Sequence, residues 1–365
     1  MDSCETTFDS VFISLSLSQT HTHAYTYLHS LRVNVYNHAC FLLCLLAFFV
    51  LEETLLVHMI DEVWEITSSE TQRIAGVLTF LRRNTCPYIG RPVLRRYGEG
   101  NAKEGTKEKK NASPLRILLS YSFSQRTVTL HQFLQMADSL HREVKLSLAY
   151  QLVQAIAFLH ACGVSHQFLS SDVVAVELKS EPTVQVIHFC GGTTSSDCGG
   201  SYICVRNYRP PEVLLQLSGI RPKAIDCWAL GCLLFEIYTG SAAFSLEASD
   251  GNFRPGLVRE QLAETVRVIG KLGEDSIPPG CSDRVSEFLL GLDYDASFPA
   301  RMRLAAPGEE TEVWISLVRA LLRFNFRLRP SVEQLLRHEL FAGLPPPVKW
   351  PVPDEEPLPL HILLE

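Results

Sequence analysis

The stretch "AIDCWALGCLLFEIYTG" (224–240) is apolar on nearly every face. A helix that covers a core from outside carries one apolar stripe, so this helix is expected inside the core. Upstream, "VKLSLAYQLVQAIAFLHACG" (144–163) lines Leu148, Leu152, Ala155, Ile156 and Leu159 along one side, with Gly163 where a left-handed residue ends a helix. "ETQRIAGVLTFLRR" (70–83) sets Ile74, Val77, Leu78 and Leu81 at i, i+3, i+4 and i+7, which predicts a helix with one apolar face. Further helical patterns occupy 257–272, 312–324 and 331–338. Strand character is sparser, in "LRILLSYSF" (115–123) and in the short, buried type "TVQVIHF" (183–189). Helices dominate after residue 130, so the order predicts an α+β chain whose second lobe is mainly helical.

The 365 residues are 46% hydrophobic and 20% charged, with a net charge of −7 spread along the chain, and nothing in that balance points to nucleic acid. Eleven cysteines form no spaced framework, and the apolar neighbours of Cys162, Cys227 and Cys232 predict reduced thiols in an intracellular, cytoplasmic interior. "ACFLLCLLAFFVL" (39–51) is an unbroken apolar run of thirteen, closed by Glu52 and Glu53. A spanning helix needs about 18–20 such residues. The run reads as a buried helix or part of a wrongly assigned start, with a membrane anchor as the lesser reading and Met59 as an alternative start. Residues 91–114 hold glycines and interleaved charges (Arg91, Arg95, Arg96, Lys103, Lys107, Lys109 and Lys110 among Glu99, Glu104 and Glu108), the pattern of a mobile, solvated insert. From Leu344 the tail carries seven prolines and is expected as an extended strap or an end without fixed structure; "PPPVKWPVP" offers an SH3 or WW ligand on composition alone. The division is then 1–58, a domain at 70–341 with its lobes meeting near 130/131, and a tail at 342–365.

Three segments in order, "NYRPPEVLL" (207–215), "IDCWALGCLLFEIYTG" and "RLRPSVEQLLRHELF" (327–341), resemble the Ala-Pro-Glu segment, central helix and closing Arg-x-Arg-Pro element of the eukaryotic protein kinase domain. The likeness covers about 70–341 and is strongest over 144–240. "YICVRNYRPPEVLL" and "AETVRVIGKLG" look most like the CMGC group, nearest the CDC-like and dual-specificity tyrosine-regulated kinases. The resemblance implies a two-lobed kinase-like fold with a reduced N-lobe. It also implies that Glu212 pairs with Arg329, that Asp226 holds the catalytic-loop backbone, and that His166 and Phe189 stack in the spine joining the lobes.

The chemistry departs from that family. Phosphoryl transfer depends on positioning and on neutralising charge. In "SHQFLSSDVV" (165–174), Phe168 stands at the catalytic Asp position, Ser170 at the Lys and Val173 at the Asn; in "IHFC", His188 replaces the metal-binding Asp and Cys190 the Gly. Imidazole is a poor substitute among the hard oxygen ligands of Mg²⁺. No lysine precedes the 70–83 helix, so Glu70, the candidate ion-pair glutamate, has none to meet, and "GEGNAKEG" (98–105) lies after that helix instead of opening the domain. Asp172 is the one replacement acid on offer.

His188, Cys190, Cys198 and Cys204 lack the close Cys pair usual in zinc sites and read as buried thiols beside a spine histidine, so no metal site is expected. Tyr202 stands at the activation-loop tyrosine position, with Arg206 or Arg209 placed to receive its phosphate; a structural tyrosine packing the segment is the reading favoured by this Ser/Thr/Gly-rich loop. The resulting expectation is a pseudokinase that binds other proteins, kinases or kinase substrates among them, with no cofactor. The alternatives are a divergent Ser/Thr or dual-specificity kinase, which would need ATP and Mg²⁺, and a decayed gene product.

Overall fold

The structure, a computed structural model, describes residues 57–66, 71–96, 115–136, 139–194, 203–246, 255–352 and 358–363. The 39–51 run, Glu70 and Tyr202 lie outside the described residues.

The smaller lobe is a three-stranded antiparallel sheet in the order β1-β3-β2, where β1 is Val57–Ile66, β2 Val93–Arg96 and β3 Leu115–Ser124. β1 pairs with β3 along its full length, from Val57↔Ser124 to Ile66↔Leu115. A start at Met59 would therefore remove the first two rungs of this ladder. Between β1 and β2 runs helix α1 (Thr71–Arg83), whose Ile74, Val77, Leu78 and Leu81 are all buried, the face set by their spacing. Of the insert expected over 91–114, Val93–Arg96 instead pairs with Ser120–Ile117 of β3, and residues 97–114 lie outside the described residues. The ladder offered by the second edge of β3 outweighs the mixed charge of the segment.

A second small sheet, β4 (Thr127–Thr129), β5 (Val174–Glu177) and β6 (Thr183–Val186), lies at the start of the larger lobe. The strand expected over 183–189 stops at Val186, because His188 is left-handed (φ 63°, ψ 67°) and Phe189–Gly191 turns as a 3₁₀ helix. The larger lobe is helical: α2 (Leu130–Met136), α3 (Arg142–Ala161), α4 (Pro211–Leu214), α5 (Pro222–Thr239), α6 (Pro255–Ile269), α7 (Asp283–Leu290), α8 (Ser297–Ala305), α9 (Glu309–Leu321) and α10 (Val332–Leu335). Sixteen of the eighteen residues of α5 are buried, which makes it the axis of this lobe. A Cβ at Gly231 would lie 2.9 Å from Leu321 Cβ, so glycine is what lets α5 and α9 touch. α10 is one turn rather than the eight residues expected, closed by a Ser331–Gln334 capping box. Helix α3 is long and apolar enough for a membrane span by length and composition, but 72% of that window is buried in the protein.

The proline-rich tail is docked. Tyr150 Oη donates to Pro345 O (2.6 Å), Val348 N donates to Gln154 Oε1 (3.2 Å), and Trp350 meets Tyr88 and Phe158 edge-on. Its end forms a helical turn, α11 (Leu360–Leu363), where no regular element was expected. Use of "PPPVKWPVP" as an SH3 or WW ligand would require these contacts to be given up.

Candidate functional site

The loop 165–173 joins α3 to β5, and its backbone is held from inside the core. Asp226, 0% exposed in the first turns of α5, accepts from the N–H of His166 (2.8 Å) and of Gln167 (2.7 Å), with His160 Nε2 at 2.9 Å. Gln167 is left-handed (φ 64°), a costly conformation for a non-glycine residue that persists where surroundings over-determine it. His166 packs on Phe189 (centroids 4.7 Å apart) and Nε2 donates to Ile187 O (2.9 Å). Its Nδ1 accepts from Phe168 N–H (3.2 Å), so the imidazole is the neutral Nε2–H tautomer.

Beneath the segment after residue 203, Glu212 and Arg329 form a fully buried bidentate pair (2.6 and 2.7 Å). Arg329 also donates to Ala224 O and Arg323 O and lies over the Trp228 ring. Pairing on both edges is what makes a buried guanidinium tolerable. A second buried network had no sequence signal: Tyr208 Oη donates to Glu236 Oε1 (2.6 Å) and accepts from Ser171 N–H (3.1 Å). Burial pushes the Glu236 carboxyl up to about 7, against the lowering effect of the Tyr208 and Ser171 hydrogen bonds.

The working edge of the same loop is apolar. Phe168 lies on the backbone of Gly191, so closely that a Cβ there would sit 1.9 Å from Phe168 Cδ2. Ser170 is buried, Val173 half-buried and Asp172 exposed at the 3₁₀ turn Ser171–Val173. His188 is half-buried with its ring 6.1 Å from Tyr121. Cys190 contributes backbone to the turn Phe189–Gly191. A cleft of about 180 Å³ is lined by other residues, from β3, β4, β5 and β6: Ser122, Phe123, Ser124, Thr127, Ala175, Glu177 and Gln185.

The protein kinase domain family profile matches residues 110–341. The chain belongs to the protein kinase domain family. It is 28% identical to human dual specificity protein kinase CLK2 over 235 residues, 56% of this chain and 44% of that protein. It is 27% identical to the probable dual specificity protein kinase madd-3 of Caenorhabditis elegans, over 57% of this chain and 25% of the relative. With mitogen-activated protein kinase HOG1 of Wallemia muriae it shares 24% over 71% of this chain and 89% of the relative. The chain thus spans less than half the length of the first two, and its kinase domain is CMGC-like.

In this kinase family the loop signature His-Arg-Asp…Asn supplies the acid and one metal ligand, and a strand lysine meets a helix glutamate and the phosphates. Laid on that signature, Gln167 replaces the arginine, a departure not noticed in the sequence, and its Nε2 is buried without a hydrogen-bond partner. The strand before α1, "VHMIDEVWEI", contains no lysine, and the first lysine of the chain is Lys103. Among the described residues the donor set therefore does not fit a magnesium-bound triphosphate: a benzyl, a hydroxyl, an isopropyl and an imidazole stand where the family has a carboxylate, an ammonium, a carboxamide and a second carboxylate.

Arg209, a candidate phosphate receiver, donates from Nε and Nη2 to the carbonyls of Ile203 and Cys204 (both 2.7 Å), a clamp on the segment's own backbone. Arg206 sits in the adjacent 3₁₀ turn, where its carbonyl accepts from Gln261 Nε2. Of the four residues weighed for zinc, Cys198 is outside the described residues, and Cys204 is buried at φ 73°.

Proposed function

We propose that this protein is a kinase-fold scaffold that binds other proteins through its helical lobe and the segment 203–215, without transferring phosphate. The observation that carries the reading is Phe168, which can neither accept a proton nor orient a hydroxyl and which covers Gly191. The buried Glu212–Arg329 pair supports it from the other side, since it fixes the end of segment 203–215 through side chains that take no part in phosphate transfer. The free thiols Cys86 and Cys227, which burial pushes up to about 12, fit work in a reducing intracellular compartment.

The test is thermal stability with and without Mg²⁺–ATP, paired with transfer of labelled phosphate to a protein substrate. A ligand at 100 times its Kd stabilises by about 2.7 kcal/mol, which moves a melting curve by several degrees. We expect no shift and no transfer. A second reading, an ATP-dependent Ser/Thr or dual-specificity kinase, draws on the kinase names of the relatives and on Asp172, the exposed acid of the loop. Transfer that is lost on Asp172→Ala would establish that reading and overturn the first.

A further inference from the structure

Two proline turns, "RPK" (221–223) and "RPS" (329–331), lead into α5 and α10 and lie beside the end of α3. Between them opens a cavity of about 310 Å³ that shares no residue with the cleft lined by β3–β6. Its buried members, Pro222, Ala224, Cys227 and Val332, form an apolar floor. The walls are tied to the core. Arg329 Nη1 donates to Ala224 O (2.8 Å), Lys223 Nζ to His160 O (2.7 Å) and Cys227 Sγ to Pro330 O (3.5 Å). A site with fixed walls needs little ordering when a ligand enters.

The mouth of the cavity is unevenly charged. Arg221 and Lys223 are exposed on the α5 side, and Glu333 is exposed on the α10 side. The Arg221 guanidinium has no hydrogen bond or ion pair among the described residues, and Lys223 Nζ makes one bond with its three N–H donors. Arg329 and His160, the other basic side chains of the lining, are engaged by Glu212 and Asp226. Ser331 is taken up by its capping box. Two cations against one carboxylate, around an apolar floor, select a ligand that is acidic at its edge and hydrocarbon at its centre. Because the mouth is built from exposed residues of two elements, the cavity opens as a groove that a passing chain can enter with a side chain. One edge attracts carboxylate and the other repels it, which also gives that chain a direction.

We propose that this groove docks a partner protein through a short acidic segment, with a leucine-type side chain on the floor and a neighbouring carboxylate on Arg221 and Lys223. The site deepens the scaffold reading by naming a surface of the helical lobe, and it rests on that reading for the purpose docking serves. No phosphate transfer enters into it, so assays of transfer and of docking fail independently.

Fluorescence anisotropy of a labelled Glu-Asp-Leu-Leu-Asp-Glu peptide, titrated with the full chain, tests this. Binding is expected, and it should weaken at least about tenfold when Arg221→Glu and Lys223→Glu are combined. Glu333→Lys should tighten it about threefold, an effect that damage to the fold does not imitate. Peptides with lysine for each acid, or with serine for each leucine, should bind at least about tenfold more weakly. Arg284→Glu on α7, which lines none of the cavity, should leave binding unchanged. If the double reversal does not fold, Arg221→Ala and Glu333→Lys decide the matter. Equal binding of the acidic and lysine peptides, or equal binding by parent and double variant, would overturn the site. So would displacement of the peptide by an equal concentration of sodium octanoate, which would assign the groove to a small carboxylate. Dimerisation of the free chain that Arg221→Glu abolishes would assign it to a second copy and overturn the proposal likewise. A chain that transfers phosphate and still binds the peptide here keeps this site and loses the scaffold reading; a chain that does neither loses this site alone.

Discussion

Asp226 and Phe168 act on neighbouring residues of one loop, and they differ in what they answer to. Asp226 is fully buried and satisfies two backbone N–H groups that have no water to turn to. Replacing it strands those donors, a cost the fold itself bears. Phe168 sits at the position where the family has its acid, half-buried against a glycine, and the fold bears no cost for the missing charge. The Glu212–Arg329 pair stands with Asp226, and Ser170, Val173 and His188 stand with Phe168. Anchors and reactive groups in a kinase domain are therefore physically separable. The packing of the loop does not require the chemistry of the loop.

The strongest challenge to this contrast is Arg329→Ala. It leaves Glu212 charged, buried and alone, and is expected to cost about 3–5 kcal/mol in urea unfolding. A loss under about 1 kcal/mol would place the pair with the dispensable groups.

Next is Glu236, whose carboxyl is raised from 4.5 to about 7 chiefly by burial, with Asp172 adding to the rise. A raised acid binds its proton more tightly in the folded state. Its contribution is thus fully present below the unfolded value and disappears as pH climbs from 4.5 through 7. The shift corresponds to about 3 kcal/mol, seen as a slope in stability over that window which Glu236→Gln should abolish. Identical pH profiles for parent and variant would show that the Tyr208 network does not strain against its burial.

The Phe168–Gly191 contact is sharpened by a double-mutant cycle. Gly191→Ala should destabilise by about 1–3 kcal/mol, because the new methyl has to displace the ring. In a Phe168→Ala background the same change should cost less than about 0.5 kcal/mol, and the difference is the coupling. Additive costs would mean that the ring does not fill that space. Smallest of all is Asp172→Asn at the exposed turn, expected within about 0.5 kcal/mol of the parent by thermal unfolding. A larger loss would mean that this acid belongs with the anchors.

Much of the architecture was legible because it depends on short-range spacing. The all-round apolar pattern of 224–240 could only be an interior helix, and the i, i+3, i+4, i+7 spacing of Ile74, Val77, Leu78 and Leu81 set the buried face of α1. The two strands flanking β3 were not legible, because charge in β2 and an unremarkable pattern in β1 hide elements that exist only through their ladder. Short helices such as α7 and α8 carry too few turns for a period to show. The strand at 183 was drawn too long because nothing in "TVQVIHF" announces a left-handed histidine.

At the site, residue identities alone told which side chains stand at the family's motif positions, since no packing can turn phenylalanine into an acid or valine into an amide. Proximity was a different matter. That Phe168 rests on Gly191, that Tyr208 links Ser171 to Glu236 across sixty-odd residues of chain, and that Trp350 wedges between Tyr88 and Phe158 were settled only when the lobes packed. Side-chain chemistry is a property of each residue and can be read along a line. Contact, burial and the resulting shift of a carboxyl belong to the three-dimensional arrangement, because they depend on which distant surfaces exclude water together.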